Sequence, residues 1–194
     1  MNEKILNHYN ESLKALIDIK KELNNIKLIS QFFLDKIKNN KKIFVYGNGG
    51  SFANSSHFVG ELTATYEKKN RKPLPFFLLS SNLAAITAWS NDFKFEDYVK
   101  REFSGYANKG DVLFLLSSSG GNFKNKQSIN LIKLARYCKK KHINLVSLLG
   151  KGGGELKRYS NKYVLVNSKN TGSIQEVQKM ILHSICSYID GSIK

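Results

Sequence analysis

Five short apolar runs punctuate the chain: Lys42–Tyr46, Phe76–Leu79, Val112–Leu116, Ile143–Leu149 and Tyr163–Val166. None shows the apolar–polar alternation of a strand with one wet face, so each reads as a strand buried on both sides. The segments between them carry apolar residues at helical spacing, as Phe52, Phe58, Val59 and Leu62 do after the first run. Doubly buried strands alternating with helices are accommodated by a parallel sheet covered on both faces. The expected fold is therefore α/β, a three-layer αβα sandwich around a central five-stranded parallel sheet. Residues 3 to 39 read as helix, with Ile5, Tyr9, Leu13, Leu16 and Ile17 on one stripe and Leu28, Phe32, Phe33 and Ile37 on a second. Asn24-Asn25 is the expected break between them. This helical extension, residues 1–40, can pack on a partner subunit or on the chain's own core, and residues 41–194 form the α/β core of one domain.

A chain of 194 residues is long enough for one well-buried domain. With 41% hydrophobic and 11% aromatic residues it is not a disordered chain. No apolar run approaches the ~20 residues of a membrane span. Met1–Ile5 carries an acid early and has no signal-peptide core. Cys138 and Cys186 lie in helical patterns without metal-ligand spacing, which points to reduced thiols and a cytoplasmic protein. The formal charge of +16 raises nucleic acid or an anionic membrane as partners. Of the 31 basic residues, however, only Arg71, Arg101, Arg136 and Arg158 are arginine. Base readout and bidentate phosphate clamping favour arginine. The lysines are read as a solvated surface whose field draws in a phosphorylated small molecule, with neither nucleic acid nor membrane as partner.

Ligands of parallel sheets bind beyond the carboxyl ends of the strands. Three loops lie there: Gly47–Ser51, Ser117–Asn122 and Gly150–Gly154. The first, Gly47-Asn48-Gly49-Gly50-Ser51, joins a strand to a helix, where glycines allow close approach and free N–H groups attract an anion. It is not a P-loop, because no Gly-Lys-Ser/Thr follows. Phe52 fills the third glycine position of the dinucleotide pattern, and no acid closes the second strand to hold a ribose. His57 and Glu61 are four apart and share a helix face above this cradle. The second loop, Ser117-Ser118-Ser119-Gly120-Gly121-Asn122, reads as hydroxyl donors at a helix start, suited to a monoester phosphate. Gln175 and His183 are eight apart on the last helix and point the same way.

Taken together, Gly47–Ser51, His57-Phe-Val-Gly-Glu61-Leu-Thr, Ser90–Phe93, Leu116–Gly120, and Ile174-Gln175-Glu176 with His183 resemble the sugar isomerase (SIS) domain family along essentially the whole chain. Within it they resemble the phosphoheptose isomerases. The order and spacing of five separate blocks make the match specific. The resemblance implies a flavodoxin-like sheet and interconversion of sedoheptulose 7-phosphate and D-glycero-D-manno-heptose 7-phosphate, serving lipopolysaccharide or capsular heptose. It further implies a homotetramer with sites at subunit interfaces and one zinc ion per subunit. Carried onto matching positions, Glu61 corresponds to the base and His183 to its acid–base partner. Asn48, Gly49, Gly50, Ser51, Glu61, Asn91, Asp92, Ser117, Ser118, Ser119, Asn122 and Gln175 correspond to substrate contacts, and His57, Glu61, Gln175 and His183 to the metal positions. An enediol exchange requires these types independently: a base near the two carbons and a donor at the two oxygens. Asn122 stands where the family has a further serine, Thr65 where it has an arginine, and Gly172-Ser173 where acid and arginine are common. Those departures bear on the choice of sugar. The alternatives are a non-catalytic SIS protein that binds the replication initiator and a sugar-phosphate-sensing SIS protein. His8 and His142 fit no motif and are expected at the surface.

Overall fold

The structure, a computed structural model, describes residues 2–193. The chain opens with α1 (Glu3–Asp18), capped by the Asn2 side chain, and α2 (Leu23–Lys38). The core follows as β1 (Ile43–Gly47), α3 (Gly50–Thr63), β2 (Phe76–Leu78), α4 (Leu83–Asp92), α5 (Phe95–Tyr106) and β3 (Val112–Ser117). It ends with α6 (Ile129–Lys141), β4 (Asn144–Leu149), α7 (Gly154–Tyr159), β5 (Lys162–Leu165) and α8 (Thr171–Ser192). All strand pairings are parallel, in the order β2-β1-β3-β4-β5. That is the doubly wound order whose switch point falls between β1 and β3. The loops leaving β1 at Gly47 and β3 at Ser117 therefore flank the crevice where the sheet is open to a ligand.

One face of the sheet is covered by α1, α2, α3 and α8, with Phe33, Phe58, Phe76 and Phe114 packed edge to face beneath them. On the other face lie α5, α6 and α7, around Phe44, Phe103, Leu113 and Leu134. The three layers and five parallel strands are those read from the apolar runs. Every residue of β1 and β3 is buried, which is why neither shows alternation.

Four local expectations are corrected. The first two helices part not at Asn24-Asn25 but at a 3₁₀ turn, Ile19–Glu22, where buried Ile19 turns inward. Both asparagines sit in the first turn of α2, where polar side chains are well tolerated, and Asn25 donates to Glu22 at 2.7 Å. Asn91-Asp92-Phe93 reads as a polar turn ahead of the next helix, yet Asn91 and Asp92 are the last residues of α4. The serine loop does not open a helix: Asn122 pairs with Gln127 across a turn, and α6 begins only at Ile129. The glycine-rich loop after β4 runs into the short helix α7, which glycine content concealed.

Candidate active site

At Gly47 any side chain would press within 2.9 Å of the Leu116 carbonyl, so a glycine lets β1 lie close to β3 there. Gly49, at φ 55°, turns the chain into α3, where the Ser51 N–H returns to the Asn48 carbonyl. Phe58 and Leu62 then point α3 into the core. This orientation leaves His57 and Glu61 on the flank that meets α8. On α8, buried Val177, Ile181 and Ile185 face the core, and His183 looks across to α3. The two helices run side by side in the same direction. Asn54 donates to the Gln175 carbonyl near their starts (2.9 Å), and His57 meets His183 further along.

Here three chemistry-bearing groups converge. The Nε2 atoms of His57 and His183 lie 2.9 Å apart, and His57 Nε2 is 3.3 Å from Glu61 Oε1. One ligand atom from each of the three residues falls within 4.8 Å of the others. Burial holds the His183 imidazole below its usual pKa, aided by His57 and Lys179 and opposed by Glu61. A ring neutral near pH 7 can accept a metal on one nitrogen or donate a proton from the other. Tyr66 lies over it, ring centroids 5.8 Å apart and planes at 21°. Two imidazoles and a carboxylate converging on one point form a donor set suited to a borderline-soft divalent cation, zinc among them.

Gln175 meets the first loop. Its carboxamide rests over Gly50, where an added Cβ would meet Nε2 at 2.6 Å and Cδ at 2.7 Å. Gly50 precedes His57 by seven residues, about 10 Å along the helix axis. The structure thus brings His57, Glu61 and His183 together and sets the Gln175 carboxamide against Gly50 at the start of α3.

Of the other site residues, Ser51 is buried in the first turn of α3. Asn48 has its amide orientation fixed by Asn130, with reciprocal bonds of 3.0 and 2.8 Å, and by Tyr46 Oη, which donates at 3.1 Å. Sequence reasoning missed both partners; only their fold neighbourhood reveals them. In the serine loop, Ser117 Oγ accepts the Gly120 N–H (3.0 Å) and Ser119 Oγ the Gly121 N–H (3.3 Å), so these hydroxyls also brace the turn. Asn122 Oδ1 accepts from the backbone N–H of Lys124 at 2.8 Å and of Asn125 at 3.3 Å. Asn91 and Asp92 are exposed and bonded to each other at 2.9 Å. A cleft of about 450 Å³ opens beside the first loop, between Tyr46, Asn48, Gly49, Phe52, Ser80 and Ile86. Its walls include neither the histidine–glutamate cluster nor the serine loop.

A second omission lies in the basic stretch 68–72. Arg71 is buried rather than solvated, paired with Asp190 at 2.6 Å. Nothing in the local pattern separates it from its lysine neighbours. His8, expected at the surface, is exposed there, and it meets Glu176 at 2.9 Å, tying α1 to the start of α8.

Comparison with known proteins agrees with this fold. The SIS domain family model matches residues 8–150. A phosphoheptose isomerase from Nitratiruptor is 40% identical over 159 residues, 82% of this chain and 81% of that protein. One from Campylobacter concisus is 36% identical over 172 residues, covering 89% and 87%. The chain belongs to the phosphoheptose isomerase family of SIS-domain proteins. A solved phosphoheptose isomerase from Francisella tularensis superposes with a TM-score of 0.89 at 26% identity, covering 98% of both chains. That from Neisseria gonorrhoeae gives 0.86 at 26% identity, covering 97% of this chain and 98% of its own. As a phosphoheptose isomerase homologue the chain is an aldose–ketose isomerase, and its five-stranded parallel sheet is the family's.

Proposed function

We propose that the chain converts sedoheptulose 7-phosphate to D-glycero-D-manno-heptose 7-phosphate, with Glu61 and His183 as the reacting pair. The observation that carries this reading is the convergence of His57, Glu61 and His183 across α3 and α8. Glu61, partly shielded by the groove, takes the proton from C1 of the ketose while a donor at O2 converts the carbonyl to hydroxyl. The enediol then receives a proton at C2, and O1 gives up its own to become the aldehyde oxygen. A neutral His183, facing the same point, suits this traffic between the two oxygens. A divalent cation held by His57, Glu61 and His183 supplies electrostatic stabilisation of the enediolate oxygens when bound. We assign zinc, one per subunit, from the donor set, with Gln175 as the fourth ligand through its amide oxygen; an amide oxygen is a weak donor, so modest affinity follows.

Phosphate falls to neutral donors of the serine loop and the Gly50-Ser51 helix start, with Asn48, Gly49 and Asn122 beside them and Asn91 and Asp92 for sugar hydroxyls. Within one chain the cleft at the first loop is separate from the catalytic cluster, which supports a site completed by a second subunit. Exposed apolar side chains offer surfaces for that assembly: Ile5, Tyr9 and Ile17 along α1, and Leu83, Phe93 and Phe95 around α4. We assign the homotetramer on this basis, with residues 1–40 contributing to its packing around a single SIS domain. Among the described residues no helix is long and apolar enough to cross a membrane, and both cysteines are buried free thiols, in keeping with a cytoplasmic enzyme. The retained cluster disfavours a non-catalytic SIS protein. Incubation with sedoheptulose 7-phosphate and identification of the product tests the reading; no aldose heptose phosphate formed by metal-replete protein refutes it. Metal analysis of protein purified without chelator should find zinc, and His57→Ala should lose it.

A further inference from the structure

The turn that carries Glu61 is held by a group the reaction never touches. α3 ends two residues after Glu61, and the last carbonyls of a helix have no partner within it. Arg71 supplies those partners from the returning loop. Its Nη2 donates to the Glu61 carbonyl at 2.8 Å, and its Nη1 to the Leu62 carbonyl at 2.7 Å and the Lys72 carbonyl at 3.1 Å. Its Nε lies 2.6 Å from Asp190 Oδ1, a close ion pair without hydrogen-bond geometry, and both side chains are 0–1% exposed. The other Asp190 oxygen accepts the N–H groups of Glu67 (2.9 Å) and Lys68 (3.0 Å). Ser187 donates to Glu67 and Lys68 to the Ile193 carbonyl, pinning the same loop to the end of α8. Tyr66, the residue before this pinned pair, is the one stacked on His183.

A single planar group thus fixes the end of α3, the loop bearing Tyr66 and the last turns of α8 relative to one another. Arginine suits this because its rigid fork serves several acceptors in one plane, and its charge at a helix C-terminus is favourable. Stability alone is a poor reason for the pair, since well-packed apolar residues often replace a buried ion pair without loss. Nor does Arg71 stand in for the family arginine absent at Thr65, because a fully buried guanidinium cannot reach a substrate phosphate.

Resting on the reading of His57, Glu61 and His183 as the reacting cluster, we propose that Arg71, locked by Asp190, is a positioning residue: it sets the register of Glu61 on α3 against His183 on α8. Groups that orient metal ligands or reacting side chains from behind typically change affinity or activity about 10–100-fold when replaced.

The test uses full-length Arg71→Lys, Asp190→Asn and the paired Arg71→Met/Asp190→Leu, each measured for thermal melting, kcat and KM, and zinc affinity by chelator competition. Asp190→Asn preserves shape and keeps an acceptor for the loop amides. The expected result is cooperative folding in at least Asp190→Asn, KM within about twofold of the parent, and kcat and zinc affinity both lowered about 10–100-fold. Folded variants with kcat and zinc affinity unchanged would overturn the proposal. Failure of Asp190→Asn to fold would overturn it as well, because the pair would then determine the fold rather than the site. The zinc titration needs no sugar, so a wrong substrate assignment would show as an inactive parent while the affinity comparison still decides the role of Arg71.

Discussion

Replacing Gly50 by alanine should separate the site from the fold. An added Cβ would stand 2.6 Å from Gln175 Nε2 and 2.7 Å from its Cδ. Unbonded heavy atoms prefer about 3.5–4.0 Å, so the carboxamide must retreat by about 1 Å. The obstacle is the free end of a flexible side chain, and a shift away from its preferred rotamer costs about 0.5–1.5 kcal/mol. Against this, alanine at a position with an ordinary φ stabilises by about 0.4–1 kcal/mol, because it lowers the entropy of the unfolded chain. Gly50 is not among the positive-φ glycines, so no backbone strain is added. The two contributions nearly cancel, and the melting temperature should move by less than about 4 °C for a chain of this size. Activity should respond differently, because a misplacement of about 1 Å near a reacting centre can cost about 100-fold. Product formation from sedoheptulose 7-phosphate, followed by NMR, together with thermal melts, measures both. If the loss runs through Gln175, Gly50→Ala should add nothing in a Gln175→Ala background. Unchanged kcat/KM, a loss that adds fully to that of Gln175→Ala, or a melting temperature lowered by much more than 4 °C as estimated above would refute the reasoning.

Glu61→Gln should abolish turnover while leaving the melting curve and oligomeric state intact; near-parental turnover would remove Glu61 from its role. Gly120→Ala should be far more damaging than Gly50→Ala. Its Cβ would fall 2.6 Å from the Gly154 N, with the Gly153 carbonyl nearer still, at a backbone φ of 69°. The obstruction is backbone, so we expect a loss above about 2 kcal/mol, read as a lowered denaturant midpoint. Glu102, on α5, has its pKa raised by burial, partly offset by Ser80 just after β2, whose N–H it accepts at 2.7 Å. Below the unfolded pKa the carboxyl is neutral in both states; above the folded pKa its charge is held less well by the fold than by water. Stability therefore falls as pH rises through that window. Glu102→Gln should match the parent at acid pH, where the carboxyl is protonated in both states, and melt higher once the folded carboxyl has ionised; equal melting temperatures across the range would refute this.

The fold was legible because doubly buried strands need only be apolar, and β1, β3 and β4 announce themselves as unbroken runs. Residue types at the site were legible as well: the spacing of His57 and Glu61 places both on one helix face whatever surrounds them. Helix α7 was not, since its run of glycines is the usual mark of a loop and its first N–H groups are satisfied by the carbonyls of Gly120 and Gly121, far away in sequence. The position of Gln175 was equally hidden. Helical periodicity gives a direction from an axis, but whether a side chain meets the histidines or Gly50 depends on how far α8 has slid along α3.

By itself, then, the sequence determined the layers, the strand number, the family and the pair of helices that carry His57, Glu61 and His183, because periodicity and apolar content act locally. Only the tertiary structure decided that His57 and His183 meet at 2.9 Å, that Arg71 is buried against Asp190, and that Asn130 orients Asn48. Each of these joins segments distant along the chain, and no local propensity distinguishes a solvated arginine or asparagine from one enclosed by the fold.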